Sequence, residues 1–374
     1  MSTKKILMVV NNPAFFLSHR LNIAQAAQAQ GYQVVIATMA GQSVQKIKDL
    51  GFEHFVIPMS RSGMNPKQEL HTIYALYQLF KKVQPDLVHL VTIKAVLYGG
   101  IAARMAKVPA VVFAISGLGY LFTRQQGFHP AQWITRHLYR LALAHKHARI
   151  IVQNQNDAAT LKQLATLDEQ QIVLIKGSGV DLDLFKATPE PALPPLKVVM
   201  AARLLKDKGV QEYVQAAQLS AQQEPALEWQ LAGALDPGNP SAVTAQELAN
   251  YQQHIHYLGE VKDMAALYQN CHIAVLPSYR EGLPKSLIEA GACARAIVTT
   301  DVPGCRDAII AEQTGLLVPA KNATALFQAV QRLANDHELR QRFGKAGRQL
   351  AETVFDEQKI VSRQIEIYRD LLTS

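Results

Sequence analysis

The chain has 374 residues, 49% hydrophobic and 18% charged, with a formal net charge of +8. That length is more than one core usually serves, so two domains are expected, and the composition is that of an ordinary soluble globular protein. Three cysteines, Cys271, Cys293 and Cys305, exclude a disulfide framework and fit a reducing cytoplasm.

The start, MSTKKILMVVNN, lacks the apolar length and small-residue cleavage site of a signal peptide. No apolar run reaches the ~18 residues of a membrane span, so any meeting with a membrane is from the side. The charge is uneven. Residues 1–185 carry 19 Lys and Arg against 9 Asp and Glu, a net of +10, while the remainder has a net of −2. From Leu87 to Asn156 there is no acid at all, among bases that include Lys94, Arg104, Arg140 and Arg149. A basic half points to an anionic partner or to simple solubility, and net charge alone does not choose.

In chain order, KILMVVNN, YQVVIATM, FEHFVIPM, DLVHLVT, PAVVFAI and RIIVQN read as strands. Helical patterns separate most of them. LNIAQAAQAQ is ended by Gly31, and QELHTIYALYQLFKKVQ by Pro85. Near-continuous apolar strands between helices predict a parallel sheet covered on both faces. GSGVDLDLFKATPEPALPPL, with four prolines, reads as a connector. The pattern then restarts with LKVVMAAR, WQLAGA, HIHYLGE, HIAVLPS, AIVTTD and GLLVPA. The expected fold class is α/β: two doubly wound, Rossmann-like domains, 1–185 and 186–355, facing an interdomain cleft. A final helix within 356–374 is expected to cross back to the first domain. Function should sit in strand-to-helix loops.

In VVMAARLLKDKG, Arg203 and Lys208 follow a strand and precede a helix, a setting that suits a pyrophosphate. In LPSYREGLPKSLIEAG, Pro284 is preorganised for a first helical turn, and the amides around Gly282 and Leu283 can point at an anion. Glu281 stands in the loop and Glu289 deeper, on the helix. A carboxylate accepts from vicinal hydroxyls. One ligand with a central pyrophosphate and a polyol at each end satisfies all four side chains, and that is a nucleotide-sugar. Asp181-Leu-Asp183 resembles a metal-binding pair but sits in the connector and reads as turn chemistry.

RLLKDKG, GSGVDLDLF, HYLGEV, LPSYREGLPKSLIEAGACARAIVTTDVPG and GLLVPAKN resemble the retaining glycosyltransferases of family 4, which have the GT-B fold. The likeness spans essentially the whole chain. It implies a UDP-sugar-dependent enzyme that needs no metal or other cofactor. Glu281, Arg203 and Lys208 would be catalytic. Glu289, Gly282, Leu283, Pro284, Lys285, Val261 and Gly233 would bind the donor, Glu289 at the ribose. The N-terminal half departs from the commonest pattern. NNPAFFLSHR replaces a Gly-Gly loop, and Ser116-Gly117 stands where many members have His-Gly.

NNPAFFLSHR, SRSGMNP and ISGLGYLF resemble a subgroup of undecaprenyl-diphosphate-sugar α-1,3-N-acetylgalactosaminyltransferases. The implied partners are a nucleotide-sugar, a polyprenyl-diphosphate-sugar acceptor and the inner leaflet of the cytoplasmic membrane. His19, Arg20, Arg61, Lys94 and Ser116 are the acceptor-side candidates. The stretch GYLFTRQQGFHPAQWITRHLYRLALAHKHAR, with Phe122, Phe128, Trp133 and Tyr139, reads either as an interfacial surface or as a core helix with a basic outer face. A non-hydrolysing 2-epimerase shares the fold but leaves that stretch unexplained. No helix-turn-helix, RNP or zinc pattern supports nucleic acid, and NNPAFF in place of G-x-G-x-x-G argues against a dinucleotide oxidoreductase.

Overall fold

The computed structural model describes residues 3–59, 65–117, 130–164, 167–192, 194–221, 223 and 225–373. The chain divides into two compact units, Met1–Ser178 with Lys359–Ser374, and Gly179–Gln358.

The first unit is built on β1 (Lys5–Val10), β2 (Gln33–Thr38), β3 (Glu53–Val56), β4 (Leu87–Val91), β5 (Ala110–Ile115), β6 (Ala148–Val152) and β7 (Ile172–Leu174). These strands pair in parallel in the order β3-β2-β1-β4-β5-β6-β7. Its helices are α1 (Pro13–His19), α2 (Leu21–Ala29), α3 (Val44–Asp49), α4 (Pro66–Val83), α5 (Ile93–Ala106), α6 (Pro130–Leu143) and α7 (Gln155–Leu164). Side chains alternate across a strand, so β1 feeds two cores. Leu7 and Val9 pack with residues of α4 to α7, whereas Ile6, Met8 and Val10 pack with Phe16, Ile23 and Ile47 of α1 to α3. The last helix adds Ile360, Ile367, Tyr368 and Leu371 to this second layer. It is locked there by His89 on β4, whose Nδ1 lies 2.5 Å from Tyr368 Oη.

Helix ends follow local chemistry. Gly31 closes α2 at φ +85, and Gln84, in a left-handed conformation just before Pro85, closes α4. The described helices include none long and apolar enough to cross a membrane.

The second unit carries β8 (Leu196–Ala201), β9 (Leu227–Ala232), β10 (His256–Gly259), β11 (Ile273–Leu276), β12 (Ala296–Thr300) and β13 (Gly315–Val318), in the order β10-β9-β8-β11-β12-β13. Its helices are α8 (Val210–Ser220), α9 (Ala245–Tyr251), α10 (Met264–Gln269), α11 (Lys285–Ala292), α12 (Ala323–Asn335) and α13 (His337–Leu350). The final helix, α14 (Glu357–Thr373), begins in this unit and ends in the first. In each sheet the order reverses beside the first strand, between β1 and β4 and between β8 and β11. Such reversals open a crevice at the carboxyl ends of the strands.

The proline-rich stretch is not a free connector. Val180 and Phe185 are buried in the core of the second unit. Arg295, 1% exposed, donates to the Thr188 and Pro189 carbonyls and to Thr188 Oγ1 at 2.6–3.2 Å. Arg340, also 1% exposed, pairs with Glu190 at 3.2 Å. Buried guanidinium groups need such acceptors, and the prolines hold the strap extended to supply them. Asp181 Oδ1 accepts from the amides of Asp183 and Leu184 at 2.9 and 3.0 Å, which is a turn.

Candidate active site

The reversal between β8 and β11 brings the strongest candidates together. After β8 the chain runs past Arg203 into a 3-10 turn, Lys206–Lys208, and then Gly209 at φ +77. A Cβ on Gly209 would stand 2.1 Å from the Pro277 carbonyl oxygen, so only glycine lets the two loops touch. The Asp207 carbonyl accepts from Tyr279 N at 2.9 Å and Ser278 Oγ at 3.1 Å. This clamp delivers Lys208 Nζ to within 2.5 Å of Glu281 Oε1, with the two side chains 17% and 13% exposed.

A third loop, after β12, holds Glu281 from behind. The Glu281 amide donates to the Pro303 carbonyl at 3.1 Å. Gly304, at φ +85, sits where a Cβ would be 2.3 Å from the Glu281 carbonyl oxygen. Arg203 is half-exposed and donates to Asp236 Oδ2 at 2.9 Å, which aims its guanidinium along the loop edge. Gly233, at φ +148, packs a would-be Cβ 1.8 Å from the Ala202 carbonyl oxygen. Its own amide donates to the Gly259 carbonyl at 2.8 Å, two residues before the half-buried Val261.

Pro284 is the N-cap of α11 rather than its first residue, and it offers no side-chain cap. Gly282 and Leu283 lie in the loop before it, half-buried. Glu289 is 8% exposed, with Lys285 Nζ 3.7 Å from its Oε1 one turn earlier. Burial pushes its carboxyl up to about 7, opposed by Lys285. Two cations, two carboxylates and an uncapped helix start thus share one sheet edge. They can neutralise a diphosphate and accept from hydroxyls. Asp236 and Gly304 were not singled out from sequence. A glycine after a proline, in the loop that follows a strand, is the available signal for Gly304.

The first unit treats its candidates unequally. His19 is half-buried, stacked on Phe15 at 4.1 Å, with Nδ1 2.7 Å from Ser18 Oγ. Arg20 is interior, not surface. It is 3% exposed, its NH1 donates to the His19 carbonyl at 3.0 Å, and burial lowers it to about 10. That burial argues against direct contact with an acceptor. Lys94 is paired with Glu69 at 2.6 Å. Ser116 Oγ is buried without a hydrogen bond. Arg61, Phe122 and Phe128 and the side chain of Trp133 lie outside the described residues. Tyr139, read with the interfacial aromatics, is fully buried in the core.

The model for "Glycosyl transferase 4-like" matches residues 5–155, and that for "Glycosyl transferases group 1" matches 181–350. The chain is similar, at 32% identity over 94% of its length and 97% of the relative's, to N,N'-diacetylbacillosaminyl-diphospho-undecaprenol alpha-1,3-N-acetylgalactosaminyltransferase of Campylobacter jejuni. It is 23% identical, over 85% of both chains, to the capsular polysaccharide biosynthesis glycosyltransferase CapM of Staphylococcus aureus. Among solved structures, a glycosyltransferase from Rickettsia africae superposes with TM-score 0.77 at 21% identity, covering 100% of this chain and 99% of that one. Anabaena HepE in complex with UDP-glucose gives 0.76 at 18% identity, covering 99% and 100%. The two doubly wound units are those of the GT-B fold. With a relative of this identity along nearly its whole length, the chain belongs to the family-4-like, group 1 glycosyltransferases.

Proposed function

We propose that this glycosyltransferase moves a hexosamine, N-acetylgalactosamine or N-acetylglucosamine, from a UDP-sugar to an undecaprenyl-diphosphate-linked sugar, with retention. The product would serve a capsule, O-antigen or related surface glycan. The observation that carries the donor half is the enclosed Lys208–Glu281 pair, with Lys208 on the same loop as Arg203. As the C1–O bond breaks, charge develops on the departing diphosphate, and preorganised cations are worth most where charge develops. Lys208 and Arg203 fill that role without a metal. Glu281 then accepts from hydroxyls of the sugar being transferred, and Glu289 from the ribose. Gly233, Val261, Gly282, Leu283, Pro284 and Lys285 line the donor's remaining contacts.

The acceptor half rests on the likeness to the Campylobacter enzyme and to the Escherichia coli UDP-Gal:alpha-D-GlcNAc-diphosphoundecaprenol alpha-1,3-galactosyltransferase, 24% identical over 76% of both chains. The reading places the protein in the cytoplasm, peripheral on the inner leaflet. In support, the outer layer α4 to α6 exposes Leu70 (66%), Tyr74 (58%), Met105 (55%) and Leu141 (53%) amid Lys67, Lys81, Arg104 and Arg140. Exposed apolar side chains on helices that also carry exposed bases suit an anionic lipid surface.

Nucleoside-diphosphate release by purified protein tests the reading, using UDP- and GDP-sugars with and without polyprenyl-diphosphate-sugar acceptors. Release that requires both one UDP-sugar and a lipid acceptor is expected. Conversion of a UDP-sugar without acceptor would replace this reading with an epimerase.

Glu289 adds a pH signature. Only its ionised form accepts two hydroxyls, so donor KM is expected to fall several-fold as pH rises from about 6 to about 8. Glu289→Gln should raise donor KM and flatten that profile. The stability sign is the reverse of that for a salt-bridged acid. A carboxyl raised from about 4.3 when unfolded to about 7 when folded favours the fold at low pH. That contribution fades between these two values as pH rises.

A further inference from the structure

Resting on the transferase reading, we infer that Glu69, Lys94, Thr92 and Ser116 form an uncharged polyol subsite in the first unit, which holds the sugar of the acceptor rather than its diphosphate. The elements converge by topology. Thr92 follows β4 directly, its amide donates to the Ala114 carbonyl at 3.3 Å, and Ser116 directly follows the neighbouring β5. Lys94 stands in the first turn of α5, and Glu69 in the first turn of α4, which packs along α5. This edge flanks the reversal between β1 and β4.

The charges there cancel. Lys94 Nζ lies 2.6 Å from Glu69 Oε1, and the two side chains are 16% and 12% exposed. The ion pair alone does not choose between sugar and diphosphate, since Lys208 on Glu281 has the same geometry, but the second carboxylate oxygen does: it only accepts, and a diphosphate has no proton to donate to it. What the edge does offer is hydrogen-bonding capacity. Glu69 Oε2, Thr92 Oγ1 and Ser116 Oγ are all buried and make no hydrogen bond. Buried polar atoms are normally satisfied, and three open ones, one of them on the ion pair itself, match the hydroxyls and acylamino N–H of a sugar. Thr92 adds a separate mark. It is β-branched and held at φ +78, ψ 160, a conformation close to glycine's own preserve.

Two variants test this with different demands on the fold. Glu69→Gln keeps the shape but weakens the acceptor. Thr92→Gly removes the hydroxyl and relieves the backbone. Acceptor binding in detergent micelles would be measured with N,N'-diacetylbacillosaminyl-diphospho-undecaprenol, GlcNAc-diphospho-undecaprenol and sugar-free undecaprenyl diphosphate, alongside acceptor and donor KM. Each variant is expected to weaken the sugar-bearing lipid that wild type prefers by about tenfold or more, raising acceptor KM alike. Binding of sugar-free undecaprenyl diphosphate should not weaken in either variant, and donor KM should stay within twofold. Equal loss for the sugar-free lipid would overturn the inference by assigning the site to diphosphate. Unchanged binding of every lipid by both variants would also overturn it, while leaving the transferase reading intact. Failure of wild-type protein to bind any of the three lipids would sink both.

Discussion

Replacing Lys208 by methionine is expected to lower kcat by about 10²–10³-fold, the size seen when one preorganised electrostatic donor is removed. The geometry explains why so much rests on one side chain. Lys208 is delivered by a turn that only Gly209 permits, and it meets Glu281 with 17% of its side chain exposed. The change also leaves an enclosed carboxylate unpaired, so a fall in thermal stability should accompany the lost activity. Lys208→Met combined with Glu281→Gln should recover much of that stability and none of the activity. Thermal melts and single-turnover transfer separate the two effects. Wild-type kcat in the methionine variant would remove Lys208 from the chemistry.

Gly304→Ala is expected to cost about 2–4 kcal/mol of stability and to reduce kcat tenfold or more. Part of the cost is a left-handed backbone, at φ +85, and part is the approach of a Cβ to 2.3 Å of the Glu281 carbonyl oxygen. Gly31 is the natural control. It has the same φ of +85, but nothing lies within 4 Å of a Cβ there. Gly31→Ala should therefore cost only about 1 kcal/mol, with kcat unchanged. Chemical denaturation of both variants isolates the steric part. Equal costs at the two positions would show that Gly304 does not set the place of Glu281.

Much of the fold is legible in the residues. β1, β4 and β5 are almost purely apolar because both their faces are covered, and that is what KILMVV, LVHLV and AVVFAI display. β7 escapes notice because Ile172–Leu174 is three residues long, too short for a period to register. The proline-rich stretch misleads for a physical reason. Prolines mark an extended chain, but whether it is free or strapped down depends on Arg295 and Arg340, more than a hundred residues away.

The candidate site shows the same division. Glu281 and Glu289 are readable together because Gly282 and Pro284 punctuate a loop that leads into a helix. The Lys208–Glu281 contact is not readable, since 73 residues separate the partners and it is the β8–β11 pairing and the loop clamp at Asp207 that join them. Arg20 looks like a surface cation in SHRLN. It is interior because it falls at the junction of α1 and α2, where the chain turns inward beside Tyr368 of the last helix. Glu69 carried no signal of its own, as a first-turn acid on a helix is common and its partner Lys94 lies on another element.

The most direct measurement is the anomeric configuration of the lipid-linked product. Purified protein would be incubated with UDP-GalNAc or UDP-GlcNAc and N,N'-diacetylbacillosaminyl-diphospho-undecaprenol or GlcNAc-diphospho-undecaprenol, and the product examined by mass spectrometry and NMR. A disaccharide-diphospho-lipid with a new α linkage, formed from one of these donors, is the expected result. A β linkage, or a UDP-sugar altered while every lipid stays unmodified, would contradict retaining transfer to a polyprenyl-diphosphate sugar.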